Sequence, residues 1–415
     1  MQIPCIKCKG SNPMKNCGRT YCPIYAKASA MFKTKEKVGK EDFQSSSNTP
    51  FVGRFGYPNI NVGTLSPPER TDDDWLYDAP THWAENDFQI QQIINYRGSL
   101  VNSRFKSNVV DARKASNFLE INQELAMASK PADIEVNLKD KPKFRLKLDA
   151  FNLPMGPNAQ LEKLRLEENP KVPHKVDKVV SDYDLKANEG LKILYEKGFD
   201  ENALSKLLSI GNLGLKKGRK LVPTRWSITT TDSNLGNNIV KEIKHYNETD
   251  YLAFFGSYLG NYYLVLCFPE PWSYELFETY MPNAEFNVSD KIEFMTDYES
   301  YRGRKKYAEN CAGGFYSVRL AVLEKLKKIK RQASVLTLRF ITGEYFAPLG
   351  VWVTRFAARK ALENKPIEFG SKELMLNYAR LLVRRKFGYD ADNLLRKSVM
   401  LREMRQQSKL NRFFN

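Results

Sequence analysis

Four of the six cysteines lie in one short stretch near the N-terminus, CIKCKGSNPMKNCGRTYC. They are Cys5, Cys8, Cys17 and Cys22, spaced C-x2-C-x8-C-x4-C. Two close pairs separated by a short loop suit one tetrahedral ion, and a structural Zn²⁺ site prefers thiolates. Two disulfides are the other pairing open to these residues, but a reducing compartment disfavours them. A redox role for the C-x2-C pair lacks the usual strand-to-helix context. The spacing therefore predicts a zinc-binding module over residues 1–25.

The rest of the chain has the composition of a folded, basic protein. Its 415 residues exceed what one hydrophobic core usually organises, which predicts two or three domains. Lys and Arg number 65 against 48 Asp and Glu, and the net charge of +17 attracts polyanions, with nucleic acid favoured over acidic membrane. Neither a membrane-spanning apolar run nor a signal sequence is visible. We therefore expect a cytoplasmic, nucleoid-associated protein with no membrane partner.

Composition and hydrophobic periodicity divide the chain into segments. Residues 26–50 are polar and predict a linker. A mixed α/β domain with a basic helix pair is expected over 51–225, an α+β domain over 226–404 and a separate tail over 405–415. The predicted fold class is α+β, a mixed multi-domain chain with an N-terminal zinc module, a central β-rich part and C-terminal helices.

Individual elements follow from the period of the apolar residues. A helix pair is predicted to join through Gly198, with Asp200 as the N-cap of its second helix. The Gly- and Pro-rich residues 51–75 predict short strands and ordered loops. The predicted helices cover 87–105, 118–129, 186–198, 200–211, 313–332, 373–388 and 392–407. The predicted strands cover 143–151, 226–233, a hairpin over 250–268 that turns at Leu259-Gly260-Asn261, and 333–356.

A dense basic cluster follows the predicted helix pair, in GLKKGRKLVPTRW. It is either a wing-like element that binds nucleic acid or a solvated turn, and both interpretations stay open. In the next segment, PTRWSITTTD, a strand would point hydroxyls and a guanidinium to one face, as a phosphate site requires. Threonines in a strand are, however, ordinary strand formers. The candidate nucleic-acid-binding residues are Lys216, Lys217, Arg219, Lys220 and Arg225, with Thr229 and Thr231 beside them.

Catalytic motifs are scarce. No phosphate-binding loop, dinucleotide fingerprint or HExxH motif occurs, and the three histidines are isolated. Asp232 and Glu344 are candidates for a general base in an enzyme that acts on nucleic acid or on a nucleotide-like group. The acidic run 72–74 is a divalent-cation site, a solvated loop or a helix start. Whether the protein is an enzyme stays open.

The chain ends on QSKLNRFFN, in which large apolar residues stand where a terminus usually frays. A glutamine is followed three residues on by an aliphatic residue and then by two adjacent aromatics. These residues are Gln407, Leu410, Phe413 and Phe414, and their order fits the pattern of a sliding-clamp ligand. A short 3₁₀ turn would gather the apolar side chains on one side. The other possibility is a tail helix that packs on the core.

Taken as an ordered set, several segments give a resemblance. With the cysteine module and the tail, VGRFGYPNINVG, LVPTRWSITTTD and PLGVW make the chain resemble the archaeal Nre family of DNA-repair proteins over nearly its whole length. The resemblance implies a repair factor that binds DNA and is recruited to it by the sliding clamp, the homologue of PCNA. It implies no chemistry and no catalytic residue.

Overall fold

The computed structural model describes residues 41–114, 116–142, 156–282 and 289–406, with single positions Cys22, Ser29, Phe32, Ala284 and Asn287. It divides into two compact units. The first comprises Met1–Leu235 with Phe346–Leu349, and the second comprises Gly236–Tyr345 with Gly350–Asn415. The division therefore lies later than the predicted boundary at 225/226. Among the described residues, none of the helices combines the length and apolar character that crossing a bilayer requires.

The first unit is built on a six-stranded sheet with the order β1-β5-β6-β4-β3-β2. Neighbouring strands are antiparallel except β4 and β6, which are parallel. The strands are β1 (Asp42–Ser47), β2 (Pro50–Val52), β3 (Asn59–Ser66), β4 (Val101–Asn108), β5 (Ala132–Leu138) and β6 (Asn158–Leu166). The helices are α1 (Pro80–Glu85), α2 (Ile90–Ser99), α3 (Asn117–Met127), α4 (His174–Ser181), α5 (Ala187–Glu196), α6 (Glu201–Ser209) and the start of α7 (Thr224–Ile243), and short 3₁₀ turns lie at Asp74–Asp78, Val109–Arg113 and Lys216–Gly218.

Helix α3 covers one face of this sheet. The ring of Phe118 lies 5.5 Å from that of Phe105 on β4, and the Thr64 hydroxyl of β3 donates to Asn122 Oδ1 at 2.9 Å. The prediction of a helix over 118–129 is confirmed. The prediction over 87–105 is correct only for α2, because the chain turns at Leu100 and continues as β4.

The prediction that 26–50 is a linker is wrong for its last residues, which form β1 and the start of β2. Strand β1 pairs with β5, and three serines in it are buried. Their hydroxyls are satisfied inside the fold: Ser45 donates to the Pro67 carbonyl at 2.6 Å and Ser47 to the Leu65 carbonyl at 2.7 Å. A polar sequence therefore lies in the interior because its hydroxyls have partners there.

The helix pair is confirmed as α5 and α6. Gly198 turns the chain between them with φ +88°, a conformation that glycine adopts without steric cost. Asp200 caps α6, because its Oδ1 accepts a hydrogen bond from the Ala203 N–H at 2.8 Å.

The second unit has its own six-stranded sheet, with the order β10-β9-β11-β8-β7-β12. Strands β9 and β11 are parallel, and the other neighbours are antiparallel. The strands are β7 (Tyr251–Tyr258), β8 (Asn261–Phe268), β9 (Ser273–Tyr280), β10 (Glu293–Glu299), β11 (Ser334–Ile341) and β12 (Ile367–Phe369). The helices are the end of α7, α8 (Ala312–Lys328), α9 (Val351–Glu363), α10 (Lys372–Phe387), α11 (Asp392–Leu395) and α12 (Val399–Gln406).

Both faces of the second sheet are covered. On one face Phe277 and Leu338 pack in a buried cluster with Val383 of α10 and Leu394 of α11. On the other face the ring of Tyr274 lies 4.9 Å from that of Phe315 on α8. Successive side chains of a strand point to opposite faces, so each strand contributes to both layers.

The hairpin is confirmed as β7 and β8 with its turn at Leu259 and Gly260. The helix over 313–332 is confirmed as α8, and 373–388 as α10. The region 392–407 forms α11 and α12 rather than one helix. The strand predicted over 143–151 lies outside the described residues.

Candidate nucleic-acid interface

The segment predicted as a strand over 226–233 is a helix, so that prediction is wrong. Helix α7 begins at Thr224, directly after Pro223, and is 20 residues long. Its buried residues recur at intervals of three and four, as a helix face requires: Ser227, Thr231, Asp232, Leu235, Gly236, Ile239, Val240 and Ile243. The first two are small and polar, and they carry the buried face without adding to the hydrophobic pattern.

The start of α7 is fixed to the edge of the first sheet. The Val52 N–H of β2 donates to the Thr224 hydroxyl at 2.9 Å. The Thr224 hydroxyl also lies 3.1 Å from the Ser209 hydroxyl at the end of α6. These contacts place Trp226 beside the loop that joins β2 to β3, where its ring centroid lies 5.7 Å from that of Tyr57.

The loop between β2 and β3 is a tight turn that pushes aromatic rings outward. The Gly53 N–H donates to the Asn61 carbonyl and the Asn59 N–H to the Gly56 carbonyl, both at 2.8 Å. Gly56 has φ +83°, and a Cβ there would lie 2.7 Å from the Asn59 carbonyl oxygen. The chain therefore turns too sharply to fold its side chains inward, and Phe55 is 76% exposed.

Three exposed rings and two exposed guanidinium groups meet at this point. Tyr57 is 52% and Trp226 is 46% exposed, which is unusual for side chains of this size. The Arg54 guanidinium lies 4.9 Å from the centre of the Phe55 ring, and Arg225 is exposed one residue before Trp226. We name this set the aromatic surface: Arg54, Phe55, Tyr57, Arg225 and Trp226.

The predicted basic cluster is anchored next to the same loop. The Val109 N–H donates to the Pro58 carbonyl at 3.0 Å, and the Val109 carbonyl accepts from the Leu221 N–H at 2.8 Å. The residues before Leu221 form a short 3₁₀ turn, which agrees with the interpretation of a solvated turn. Lys216, Lys217 and Lys220 are exposed on it.

Two family models match the chain: "Archaeal Nre, N-terminal" over residues 16–287 and "Archaeal Nre, C-terminal" over 299–413. The chain belongs to the archaeal Nre family. It is 34% identical to the DNA repair protein NreB of Archaeoglobus fulgidus, over 98% of this chain and 99% of that protein. It is 37% identical to NreA of the same organism, over 93% and 95% of the two chains. It is 35% identical to NreA of Haloferax volcanii, over 76% of each. No solved structure matches it.

In this Nre protein, Arg219 shapes the basic turn from the inside. The side chain is buried, its Nε donates to the Gly214 carbonyl at 2.9 Å and its Nη2 donates to the Val180 carbonyl at 2.5 Å. Its guanidinium also lies 4.7 Å from the centre of the Tyr183 ring. Burial lowers the pKa of Arg219 from its ordinary value. Arg219 thus holds the turn that presents the neighbouring lysines.

The catalytic candidates lose the strand geometry on which they were chosen. On helix α7, Arg225, Thr229 and Asp232 share one stripe, but burial increases along it: Arg225 is exposed, Thr229 is half-buried and Asp232 is buried. The helix rises about 1.5 Å per residue, so Arg225 and Asp232 are about 10 Å apart along its axis. Thr231 is buried within the same helix. Glu344 lies in the second unit, where its carboxylate accepts from the Tyr262 hydroxyl at 3.0 Å.

The acidic run 72–74 starts a short helix. Asp74 Oδ1 accepts a hydrogen bond from the Thr71 hydroxyl at 2.6 Å, and its Oδ2 accepts one from the Ser46 hydroxyl at 2.5 Å. Within the described part of the chain, no group of three or more His, Cys, Asp or Glu side chains is arranged to hold a metal ion. Cys22 is half-buried and forms no disulfide with another described residue. Cys5, Cys8 and Cys17, like Gln407, Leu410, Phe413 and Phe414, lie outside the described residues.

Periodicity could not identify the aromatic surface of this Nre protein. Phe55 and Tyr57 lie in a loop, where no period applies. Trp226 lies in the segment 226–233, whose residues predict a strand but form the start of helix α7. The usable signal was chemical: the loop sequence GRFGYP sets aromatic residues between glycines and a proline, which places large rings in a turn with little room to bury them.

Proposed function

We propose that this Nre protein is a DNA-repair factor that binds DNA with unpaired bases through its aromatic surface. The carrying observation is the group of three exposed rings, Phe55, Tyr57 and Trp226, beside the guanidinium groups of Arg54 and Arg225. The relatives named DNA repair proteins and the net charge of +17 support the same function.

The physical basis is stacking combined with charge. Every base has a flat face, so a ring that is open to solvent can stack on an unpaired base whatever its identity, with about 1–3 kcal/mol per base. In a duplex the bases are already stacked on each other, and the same rings have no free face to meet. The neighbouring lysines Lys216, Lys217 and Lys220 add contacts to the phosphates.

The test is a double substitution, Phe55→Ala with Trp226→Ala. It should weaken binding to a labelled single strand by about tenfold or more, from the loss of two stacking contacts. Binding to the corresponding duplex should change much less. Trp75→Ala is the matched control, because Trp75 is 42% exposed in the same unit. Equal losses on both DNA forms, or equal effects of the control, would contradict stacking.

Recruitment by the sliding clamp is the second part of the proposal. Gln407, Leu410, Phe413 and Phe414 fit the clamp-ligand pattern, and Lys409 and Arg412 between them would favour an acidic clamp face. Burying three large apolar side chains yields about 1.5–3 kcal/mol each before ordering costs, which is enough for micromolar affinity.

A Zn²⁺ ion in the N-terminal module is the third part. The donor set fits the metal, because four cysteines in two close pairs supply the thiolates of a closed tetrahedral site. Cys5, Cys8, Cys17 and Cys22 would hold the ion, which would supply the folding energy of so small a module. Elemental analysis of the purified protein tests this, and a preparation without zinc would contradict it.

A further inference from the structure

We propose that the loop Tyr301–Tyr307 of the second unit is a separate binding site for the phosphodiester backbone of a single-stranded nucleic acid. The choice of ligand rests on the function proposed above. The loop shares no residue with the aromatic surface or the basic turn, and it belongs to the second unit.

The sequence of the loop is YRGRKKY, with four cations between two tyrosines and no acidic residue. Arg302, Lys305 and Lys306 are exposed. Tyr301 is 50% and Tyr307 is 48% exposed. Three exposed cations thus face solvent beside two half-exposed rings, a combination that suits phosphates and bases together.

The fourth cation, Arg304, holds the loop in shape. Its Nη1 donates to the Tyr298 carbonyl at 2.7 Å and its Nη2 donates to the Tyr307 carbonyl at 3.1 Å. It forms an ion pair with Asp297 at 3.1 Å, and its guanidinium lies 5.1 Å from the centre of the Phe315 ring. These contacts keep one cation inside and leave the other three facing outward.

The two ends of the loop are also fixed. The Lys244 ammonium donates to the Tyr301 carbonyl at 2.6 Å and lies 4.1 Å from the centre of the Tyr301 ring. Tyr307 stacks on Tyr316 with ring centroids 5.5 Å apart, and the Ala308 N–H donates to the Tyr316 hydroxyl at 3.0 Å. Because the loop is ordered through its own contacts, binding loses little conformational entropy there.

An acidic protein segment is the other polyanion that such a loop attracts. Two half-exposed tyrosines favour nucleic acid, because bases stack on rings whereas Asp and Glu side chains offer no flat apolar face. The chain turns at Gly303, where φ is +81°. Positive charges lie on both sides of this turn, with Arg302 before it and Lys305 and Lys306 after it.

The test removes the three outward charges and keeps Arg304. Arg302→Gln, Lys305→Gln and Lys306→Gln are combined, and binding to a labelled single strand is measured by fluorescence anisotropy over a salt series. The logarithm of the binding constant falls linearly with the logarithm of the salt concentration. The loss of three phosphate contacts should reduce the steepness of this fall by about 2, and it should reduce the affinity at low salt by about tenfold or more. An unchanged slope would overturn the proposal.

The matched control combines Lys365→Gln, Arg396→Gln and Lys397→Gln, which removes the same charge from the same unit. Arg396 and Lys397 are exposed next to Leu394, which packs on the face of the sheet opposite to Phe315. The control should leave the slope nearly unchanged. Equal effects of the two triples would show only a general dependence on net charge and would overturn the site.

Two further measurements separate the outcomes. The first is the Tyr301→Leu variant, which should bind a single strand about tenfold more weakly and poly-glutamate as tightly as before. The second compares the two ligands on the unaltered protein. Tighter binding of poly-glutamate than of DNA would identify an acidic protein as the ligand and overturn the proposal. If the Phe55→Ala, Trp226→Ala protein loses single-strand affinity while the loop triple does not, this inference fails and the proposed function stands. If the unaltered protein binds no single strand, both fail.

Discussion

At the scale of single residues, Asp78 is a carboxylate of the first unit that four side chains contact. It forms an ion pair with Arg97, and its Oδ2 lies 2.8 Å from the Lys206 ammonium. Asn202 Nδ2 donates to the same Oδ2 at 3.0 Å, and the Thr49 hydroxyl does so at 3.3 Å. Burial alone would raise the pKa of Asp78, but the two cations outweigh it and hold the pKa well below its ordinary value of 3.8.

Asp78→Asn should therefore destabilise the first unit strongly at neutral pH, by about 3–5 kcal/mol, because two cations remain largely buried without their carboxylate. The folded-state pKa is lowered, so the stabilisation is fully present above the unfolded pKa and declines as pH falls through the folded one. The deficit of the variant in urea unfolding should thus be constant at neutral pH and shrink below about pH 4.

Asp392→Asn is the comparison for that experiment. Its ion pair with Arg380, at 2.9 Å, is more exposed, and such pairs contribute about 0–1 kcal/mol. A large effect of Asp392→Asn, or a deficit of Asp78→Asn that grows in acid, would contradict the assignment.

At the scale of elements, the sequence predicts best where local chemistry and apolar period agree. Gly198 and Asp200 fix the α5–α6 pair, and the turn at Gly260 fixes the β7–β8 hairpin. Helix α7 was missed because its buried stripe begins with Ser227 and Thr231, which periodicity counts as polar. Helix α9 was missed because VWV is a run of β-branched and aromatic residues, which favours a strand, while the helical period of its buried face appears only over a longer window.

In the candidate site, too, one part could be predicted from the sequence and another part could not. Lysines form a run in the sequence, so the basic turn could be predicted from composition. The aromatic surface depends on the approach of Trp226 to Tyr57, two residues far apart in the chain that β2 and α7 bring together through the Val52–Thr224 hydrogen bond. No local pattern records such an approach, because it is set by tertiary packing.

The C-terminal tail should act as a separable element. Phe413→Ala with Phe414→Ala should abolish binding to the sliding clamp in a titration, because the apolar plug is lost. The melting temperature and the affinity for DNA should stay unchanged. Leu381→Ala, at an exposed position of α10, is the control. Retained clamp binding would contradict the role of the two phenylalanines as a clamp ligand. A large loss of stability would show that the tail packs on the core instead.

At the scale of the whole molecule, charge should dominate the interaction with DNA. The net charge of +17 and the exposed lysines of the basic turn predict binding that depends steeply on salt. Neutralising six or more phosphates makes affinity fall by about 10³-fold or more between about 50 and 200 mM salt.

Replacing Lys216, Lys217 and Lys220 together with glutamine should lower the salt slope for duplex DNA by about 2–3. Arg384, Arg385 and Lys386 are exposed at the end of α10 and form a second basic cluster for comparison. Their replacement should lower the slope less, since the Lys386 ammonium already lies 5.0 Å from the centre of the Tyr262 ring. Binding that does not change with salt would contradict the electrostatic model.

The order of strands in the second sheet bears on whether the two family regions can exist as separate polypeptides. Strand β11 lies between β8 and β9 and pairs with both along its full length. The N-terminal family region contains β8 and β9, whereas β11 belongs to the C-terminal region. A gene broken between the two regions would leave two apolar strands with unpaired edges, which favours aggregation. The two regions therefore complete one sheet between them, and a chain cut between residues 287 and 299 should not yield two separately soluble halves.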